Sequence, residues 1–338
     1  MTVVGEWLQL TTESVWTQSL WFQPFNRRII PRMQFRPINL KVGEKAAKIW
    51  HEDPTDINFV HSIFTQCSLP YKAIKDPAYI TQNGLASLKV TSGFSMGPEC
   101  SPVPIGVPYG VRPRLVLIHA MTEAVKRQDR NIPISDNFSA YLRNNLGANT
   151  DTRTMRSYRE QIKRLAQASI TIDFTDPQAG RQVIANTTPF SRLELWGHGD
   201  ANQRELWPSE VTLSHEFFES LCAHAVPLDQ RAISNLKHNA RALDLYVWLA
   251  HRLHRVRQPK GQFISWEAMA MQFGGSMKVE TRSQLKDFSR ELWDALMLAL
   301  QNYPKAKVEK VRGGLKLHNS PTPVQTISAQ VVRLPSKG

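Results

Sequence analysis

Cysteine is scarce and long apolar runs are missing, and each shortage excludes a class of protein. Cys67, Cys100 and Cys222 are the only cysteines. They are odd in number, far apart and without C-x-x-C spacing, so neither a disulfide framework nor a zinc or dithiol site is expected. They read as reduced, mostly packed thiols. The longest apolar runs, such as Leu115-Val116-Leu117-Ile118, fall far short of the roughly 20 residues that a membrane-crossing helix requires. Around Trp7, Leu8, Val15, Trp16, Trp21 and Phe22 there is no early Lys or Arg and no compact apolar core before a small-residue cleavage site, so no signal peptide is read. A cytoplasmic location away from membranes is expected.

Catalytic signatures are also lacking. No G-x-x-x-x-G-K-[ST] occurs, which leaves nothing to support nucleotide hydrolysis on a phosphate-binding loop. No H-x-H occurs either, and a metal-dependent strand-nicking enzyme would need such a pair beside a catalytic tyrosine. His198-Gly199-Asp200 has no further ligands nearby, and His251-x-x-His254 falls at i, i+3 on an amphipathic segment. Both read as packed or surface histidines, and His51-Glu52-Asp53-Pro54 reads as a turn. No catalytic residue, no metal and no cofactor are expected, and the protein reads as a non-enzyme.

Acidic residues are in deficit. Asp and Glu total 29 against 42 Lys and Arg, a formal charge of +13. Such a chain is drawn to polyanions, with nucleic acid the default partner. Its 338 residues and 41% apolar content suffice for two ordinary cores.

The punctuation along the chain predicts an α+β, helix-rich protein: two winged helix-turn-helix domains in tandem with a loosely ordered N-terminal arm. Residues 1–56 mix scattered tryptophans with Pro24, Pro31, Pro37 and Pro54 and read as the arm. Residues 57–225 form the first winged-helix domain with a preceding hairpin, 226–320 the second, and 321–338 a tail. From Asn58, a short helical run is expected through Phe59, Val60, Ile63 and Phe64. Strand pieces follow at Tyr79-Ile80 and Ala86-Leu88-Val90 about an Asn83-Gly84 turn. The Gly- and Pro-dense stretch Ser92–Tyr109 reads as a loop.

Two segments then repeat one order. In the first, Pro113–Arg130 carries Leu115, Ile118, Met121 and Val125 at helical spacing. Ile132-Pro133-Ile134 is extended, and Ser135 caps a helix through Phe138, Tyr141 and Leu142 that ends at Gly147. Thr152 or Thr154 opens a third helix to about Ala168. A hairpin follows, with Ile170-Ile172-Phe174 and Val183-Ile184 on either side of Asp176-Pro177 and Gly180. In the second, Asn239 caps a helix with Leu243, Val247, Leu249 and Leu253. Phe263-Ile264 is extended, and Ser265 caps a short helix that stops at Gly274-Gly275. Thr281 opens a long helix with Leu285, Phe288, Leu292, Leu296 and Ala299, and a hairpin turns at Gly313-Gly314. Ile134-Ser135 parallels Ile264-Ser265, Leu146-Gly147 parallels Phe273-Gly274, and Thr152-Arg153 parallels Thr281-Arg282.

With Met155, Tyr158, Ile162 and Leu165 inward, Arg153, Arg156, Ser157, Glu160 and Arg164 fall on the opposite face of the first third helix, with Lys163 at its edge. On an isolated helix such a face is most simply solvated. As the third helix of a helix-turn-helix it reads as a row of donors and one acceptor for base edges in double-stranded DNA. The second third helix offers Ser283, Lys286 and Arg290 beside Asp287 and Asp294, a mixed face that suits a partner or solvent nearly as well. Its hairpin adds Lys305, Lys307, Lys310, Arg312 and Lys316 with only Glu309 opposing, a composition for phosphate contacts.

The chain resembles the plasmid-encoded RepA replication proteins, a family defined by a RepA C-terminal domain. The resemblance is carried by Pro108-Tyr109-Gly110 with Pro113-Arg114-Leu115, Thr122-Glu123-Ala124-Val125, and Gln161 with Arg164-Leu165. It continues in Ala242-Leu243-Asp244, Tyr246, Trp248-Leu249, Arg252-Leu253, Trp266 and Gln272-Phe273-Gly274, spanning roughly Phe59 to Leu317. It implies a plasmid replication initiator that recognises repeated sites in origin DNA as a monomer or homodimer and recruits host DnaA and the replicative helicase. A sequence-specific transcriptional repressor built on the same modules is the alternative. Where the family tends to place a glycine-rich turn before the third helix, this chain has Ala148-Asn149-Thr150-Asp151.

Overall fold

The computed structural model describes residues 48–84, 86–97, 101–133, 138–176, 181–193, 210–275, 277 and 279–324. Nearly all of the expected arm and most of the tail lie outside them, as do Ser135 and His198-Gly199-Asp200. Residues Lys41–Gly338 form one compact unit, helix-rich with small antiparallel sheets, an α+β architecture.

The chain enters through β1 (Ile57–His61), not through the helical run expected there; only α1 (Ile63–Gln66) is helical. β1 pairs antiparallel with a distant strand, His61 opposite Ala225 and Ile57 opposite Asp229. A partner so far along the chain leaves no local signal, so period alone misleads. β2 (Ala78–Asn83) and β3 (Ala86–Thr91) form the expected hairpin, with Gly84 at φ +58° supplying the left-handed turn residue. The stretch expected as a loop folds into a small hairpin, β4 (Phe94–Met96) with β5 (Pro102–Pro104).

α2 (Val111–Arg127) opens the first repeat and is buried on most sides through Leu115, Val116, Leu117, Ile118 and Met121. β6 (Asn131–Pro133), α3 (Phe138–Ala140, continuing as a π-helical turn Tyr141–Asn145) and α4 (Thr152–Gln167) follow in the expected order. Asp151, not Thr152 or Thr154, is the N-cap of α4, its carboxylate accepting from the Thr154 N–H at 2.9 Å. The turn that departs from the family pattern thus supplies the cap.

β7 (Ser169–Asp176) and β8 (Arg181–Thr187) make the expected hairpin, but it does not close the first repeat. β7 adds to β3, giving a four-stranded sheet in the order β2-β3-β7-β8. β6 instead pairs with β10 (Glu210–Leu213), which pairs with β9 (Phe190–Leu193). The three-stranded sheet is therefore β6-β10-β9, and β7–β8 is an insertion ahead of it. Four-residue strands show too little alternation to be read from sequence.

α5 (His215–His224), β11 (Ala225–Asp229) and α6 (Gln230–Leu236), which carry no strong period, lead to the second repeat. There α7 (Ala240–Arg252), β12 (Gln262–Ser265), α8 (Trp266–Phe273), α9 (Arg282–Gln301), β13 (Val308–Val311) and β14 (Gly314–Leu317) match the expected order. Asn239 and Ser265 act as the expected caps, and Thr281 forms a full capping box with Gln284. The sheet order β12-β14-β13 repeats β6-β10-β9: first strand beside third, second at the far edge. Both repeats thus share one topology, interrupted in the first by the β7–β8 insertion.

α7 is the hub. Every residue from Ala242 to His251 is buried, and α7 packs against α1, α6, α9 and β11 as well as α2. The two repeats therefore share a core. Ahead of β1, Trp50 donates its indole N–H to the Gln301 carbonyl at 3.0 Å, at the end of α9. Arg231 donates to the Glu52 carbonyl at 2.9 Å, so the last residues assigned to the arm are docked.

Candidate nucleic-acid interface

α4 presents its polar face as its period requires. Tyr158, Ile162 and Leu165 are buried with Gln161, while Met155 is half-buried. Arg153, Arg156, Glu160 and Lys163 are exposed, and Ser157 and Arg164 are half-buried.

Arg164 differs from its neighbours. It donates to Glu160 at 2.6 Å and to the Val107 carbonyl at 3.3 Å, and its guanidinium lies 5.1 Å from the Tyr109 ring centroid. Gly106 lets it approach, since a Cβ there would meet its Nη1 at 2.6 Å. Beside it, Gln161 accepts from the Tyr109 N–H at 2.8 Å. Gln161 and Arg164 therefore dock the segment 106–109 onto α4. Glu160 is engaged by the same contact, which leaves Arg153, Arg156 and Lys163 as the outward cations of this helix. Two further arginines fix the helix rather than decorate it: Arg159 lies 5.0 Å from the Phe138 ring centroid, and Arg112 of α2 lies 5.6 Å from that of Tyr158.

In the second repeat, Ser283, Lys286 and Arg290 are exposed on α9. Arg290 pairs with Asp287 at 3.0 Å, an exposed pair of small energetic weight. The mixed charge expected from sequence is thus partly self-neutralised along the helix.

The β13–β14 hairpin exposes Lys305, Lys307, Lys310 and Arg312, with Lys316 half-buried. Lys310 points to the helix side, its Nζ 4.9 Å from the Trp293 ring centroid and 5.9 Å from that of Trp266. Such cation–π contacts hold an ammonium in place without neutralising it. Glu309, the acid of the hairpin, has a carboxylate oxygen 3.1 Å from His318 Nε2, an ion pair when that imidazole is protonated.

Two histidines, His61 and His251, are packed. His61 is buried and stacks on Phe217 at 5.6 Å; burial, and secondarily His224, lowers its pKa to about 4. His251 is buried beside Arg255, which contacts it. Burial, and then the Arg255 charge, lowers its pKa to about 4 as well. His251 is thus a packed imidazole and His254 an exposed one, as the reading of His251-x-x-His254 as packed or surface histidines expects. Among the described residues no cluster of three or more His, Cys, Asp or Glu could hold a metal, and no helix is long and apolar enough to cross a membrane.

The residues that bind the repeats together carry no sequence signal for that role. Arg114 of α2 and Asp244 of α7 form a two-bonded ion pair, both bonds 2.8 Å, with side chains 6% and 10% exposed. Arg114 also donates to the Leu69, Pro70 and Gly110 carbonyls. Tyr71 is enclosed between the guanidinium groups of Arg114 and Arg241, at 4.9 and 5.0 Å from its ring centroid. Gln272 of α8 donates to the Gln66 carbonyl at 2.9 Å. The segment 66–71 is thereby clamped between α2 and the second repeat.

These features define a two-repeat α+β protein that turns cationic helix and hairpin surfaces outward around a shared core. Residues 107–268, just under half of the chain, match the family of plasmid-encoded RepA proteins. The match begins within the loop docked by Arg164 and ends in α8. Two crystal structures of domains 2 and 3 of RctB are similar to this chain. One has 13% identity and a TM-score of 0.43, covering 74% of this chain and 87% of that one. The other has 12% identity and a TM-score of 0.42, covering 72% and 83%. No curated protein matches.

Proposed function

We propose that this chain is a plasmid replication initiator that binds double-stranded DNA at repeated sites of an origin through two winged helices. The match of residues 107–268 to the plasmid-encoded RepA family carries the reading. The shared sheet order of the two repeats supports it, because first-third-second strand order after three helices is the arrangement of a winged helix. In this reading α4 and α9 are the recognition helices. Arg153, Arg156 and Lys163 of α4 contact the major groove, with Lys286 of α9, while Lys305, Lys307, Arg312 and Lys316 meet phosphates. The wing of the first repeat is formed in this reading by β9 and β10, and residues 194–209 between them lie outside the described residues.

The protein acts in the cytoplasm without catalytic residues, metal or cofactor, as a monomer or homodimer, and engages host DnaA and the replicative helicase once bound. Supplying the gene in trans to a plasmid that carries the flanking DNA but lacks the gene tests this; failure to restore replication rejects it. Footprinting of the flanking DNA separates the readings further. Repeats spaced about 20 base pairs, two helical turns, beside an AT-rich block favour the initiator, and a single palindrome over a promoter indicates a repressor instead.

A further inference from the structure

The outward face of the β12-β14-β13 sheet carries an exposed aromatic ring among cations. Strand alternation sends Leu315 and Leu317 into the core, where both are fully buried, and sends Phe263 and Lys316 to the other side. Phe263 of β12 stands opposite Lys316 of β14, which stands opposite Glu309 of β13. Phe263 remains 54% exposed.

Its ring is held over the hairpin turn. A Cβ at Gly314 would lie 2.9 Å from the ring, and one at Gly313 3.9 Å away. Gly313 has φ +84° and its carbonyl accepts from the Trp266 N–H at 3.0 Å, tying the turn to the start of α8. Ring, turn and helix thus form a fixed unit that needs no rearrangement to receive a ligand.

The surroundings select for a polyanion. Arg312 is exposed at the turn, Lys316 is the cross-strand neighbour of the ring, and the face carries one acid, Glu309, against these two cations, with His318 Nε2 3.1 Å from its carboxylate. A duplex offers phosphates to such a surface but keeps its base faces stacked inside. A single strand offers both phosphates and base faces, and stacking on an aromatic ring accepts any base.

We propose that the outer face of this sheet also takes single-stranded DNA, in exchange for duplex, with a base stacked on Phe263 and the adjacent phosphates on Lys316 and Arg312. The proposal rests on the DNA-binding reading above and extends it to the strand exposed when duplex beside the bound sites opens.

Fluorescence anisotropy with the full chain tests it, using labelled oligothymidylate of about 30 nucleotides, longer than the ~4–16 nucleotides of a single-strand site, and a mixed-sequence duplex of similar length. Phe263→Ala is expected to weaken oligothymidylate binding about tenfold, Phe263→Trp to restore it to within about twofold, and neither to change duplex binding by more than about twofold. Single strands carrying 5-iodouracil should photo-crosslink to the peptide containing Phe263. An exposed ring can be removed without unfolding, which an unchanged melting temperature checks. The proposal is overturned if Phe263→Ala binds oligothymidylate as the wild type does, if Phe263→Leu binds as tightly as Phe, or if Phe263→Ala loses single strand and duplex equally. Wild-type protein that binds duplex but not oligothymidylate rejects this site alone; wild-type protein that binds neither rejects the DNA-binding reading with it.

Discussion

Arg114 and Asp244 meet 130 residues apart in sequence through two parallel hydrogen bonds, joining the first helix of one repeat to the first helix of the other. Both side chains are almost fully removed from water, where an unpaired charge is costly. The guanidinium has no unused direction: its remaining donors serve the Leu69, Pro70 and Gly110 carbonyls. Arg114 and its partners thus tie the two repeats together within the core that they share.

Arg114→Ala is accordingly expected to destabilise the fold by about 3–5 kcal/mol, read from urea unfolding. Asp244→Ala should cost about as much, because it leaves the buried Arg114 charge with carbonyl acceptors but no counter-ion. A loss below about 1 kcal/mol for Arg114→Ala would mean that the pair does not hold the repeats together.

Within α4, two arginines separate into different duties. Arg156→Ala should weaken cognate duplex binding by about 1–3 kcal/mol and leave the melting temperature unchanged, since its side chain is exposed. Arg164→Ala should lower the melting temperature by freeing the 106–109 segment. Paired melting and band-shift measurements decide this; a cognate-binding defect in Arg164→Ala without any change in melting contradicts the assignment.

On the second hairpin, Arg312→Ala and Lys316→Ala should each reduce the slope of log affinity against log salt by about one for duplex DNA, on cognate and scrambled sequence alike. Lys310→Ala should also cost about 0.5–1 kcal/mol of stability, the contribution of an exposed cation–π contact. Salt titrations of the three variants give the slopes and urea unfolding gives the stability of Lys310→Ala; an unchanged slope in all three would remove the hairpin from the interface.

Stability should fall in acid through His61. Its pKa drops from 6.5 to about 4 on folding, chiefly through burial, so the unfolded chain binds the proton more readily. The stability this contributes is fully present above pH 6.5 and is lost as pH falls toward 4, up to about 3 kcal/mol. His61→Asn, whose side-chain oxygen can still accept from the Ile63 N–H that His61 Nδ1 now accepts, should flatten the difference in urea midpoint between pH 7.5 and pH 5. An equally steep dependence in that variant would assign the effect to other groups.

Much of the second repeat was legible in the sequence. Asn239, Ser265 and Thr281 are cap residues whose side chains can satisfy only a helix start, and the Gly313-Gly314 turn separates two short alternating strands. The face of α4 followed from its period in the same way. Long-range pairing had no such signal: β1 looked like a helix because its partner β11 is far along the chain, and the β7–β8 hairpin was taken for the first wing because β9 and β10 are too short to show alternation. Gln161, Arg164, Arg114 and Asp244 are among the residues that carry the family resemblance, but what each contacts is visible only once the helices are packed.

Charge balance, helix caps and hydrophobic period, all local properties, determined that this is a basic, helix-rich chain with a repeated module and an outward cationic helix face. Tertiary structure decided which cations remain free. It turned Arg164 inward onto Tyr109, set Lys310 over two tryptophans, buried Arg114 against Asp244 and left Phe263 open beside Lys316. The physical reason is that a charge's availability depends on what packs beside it, and for these residues the neighbours come from parts of the chain that their own sequence context does not name.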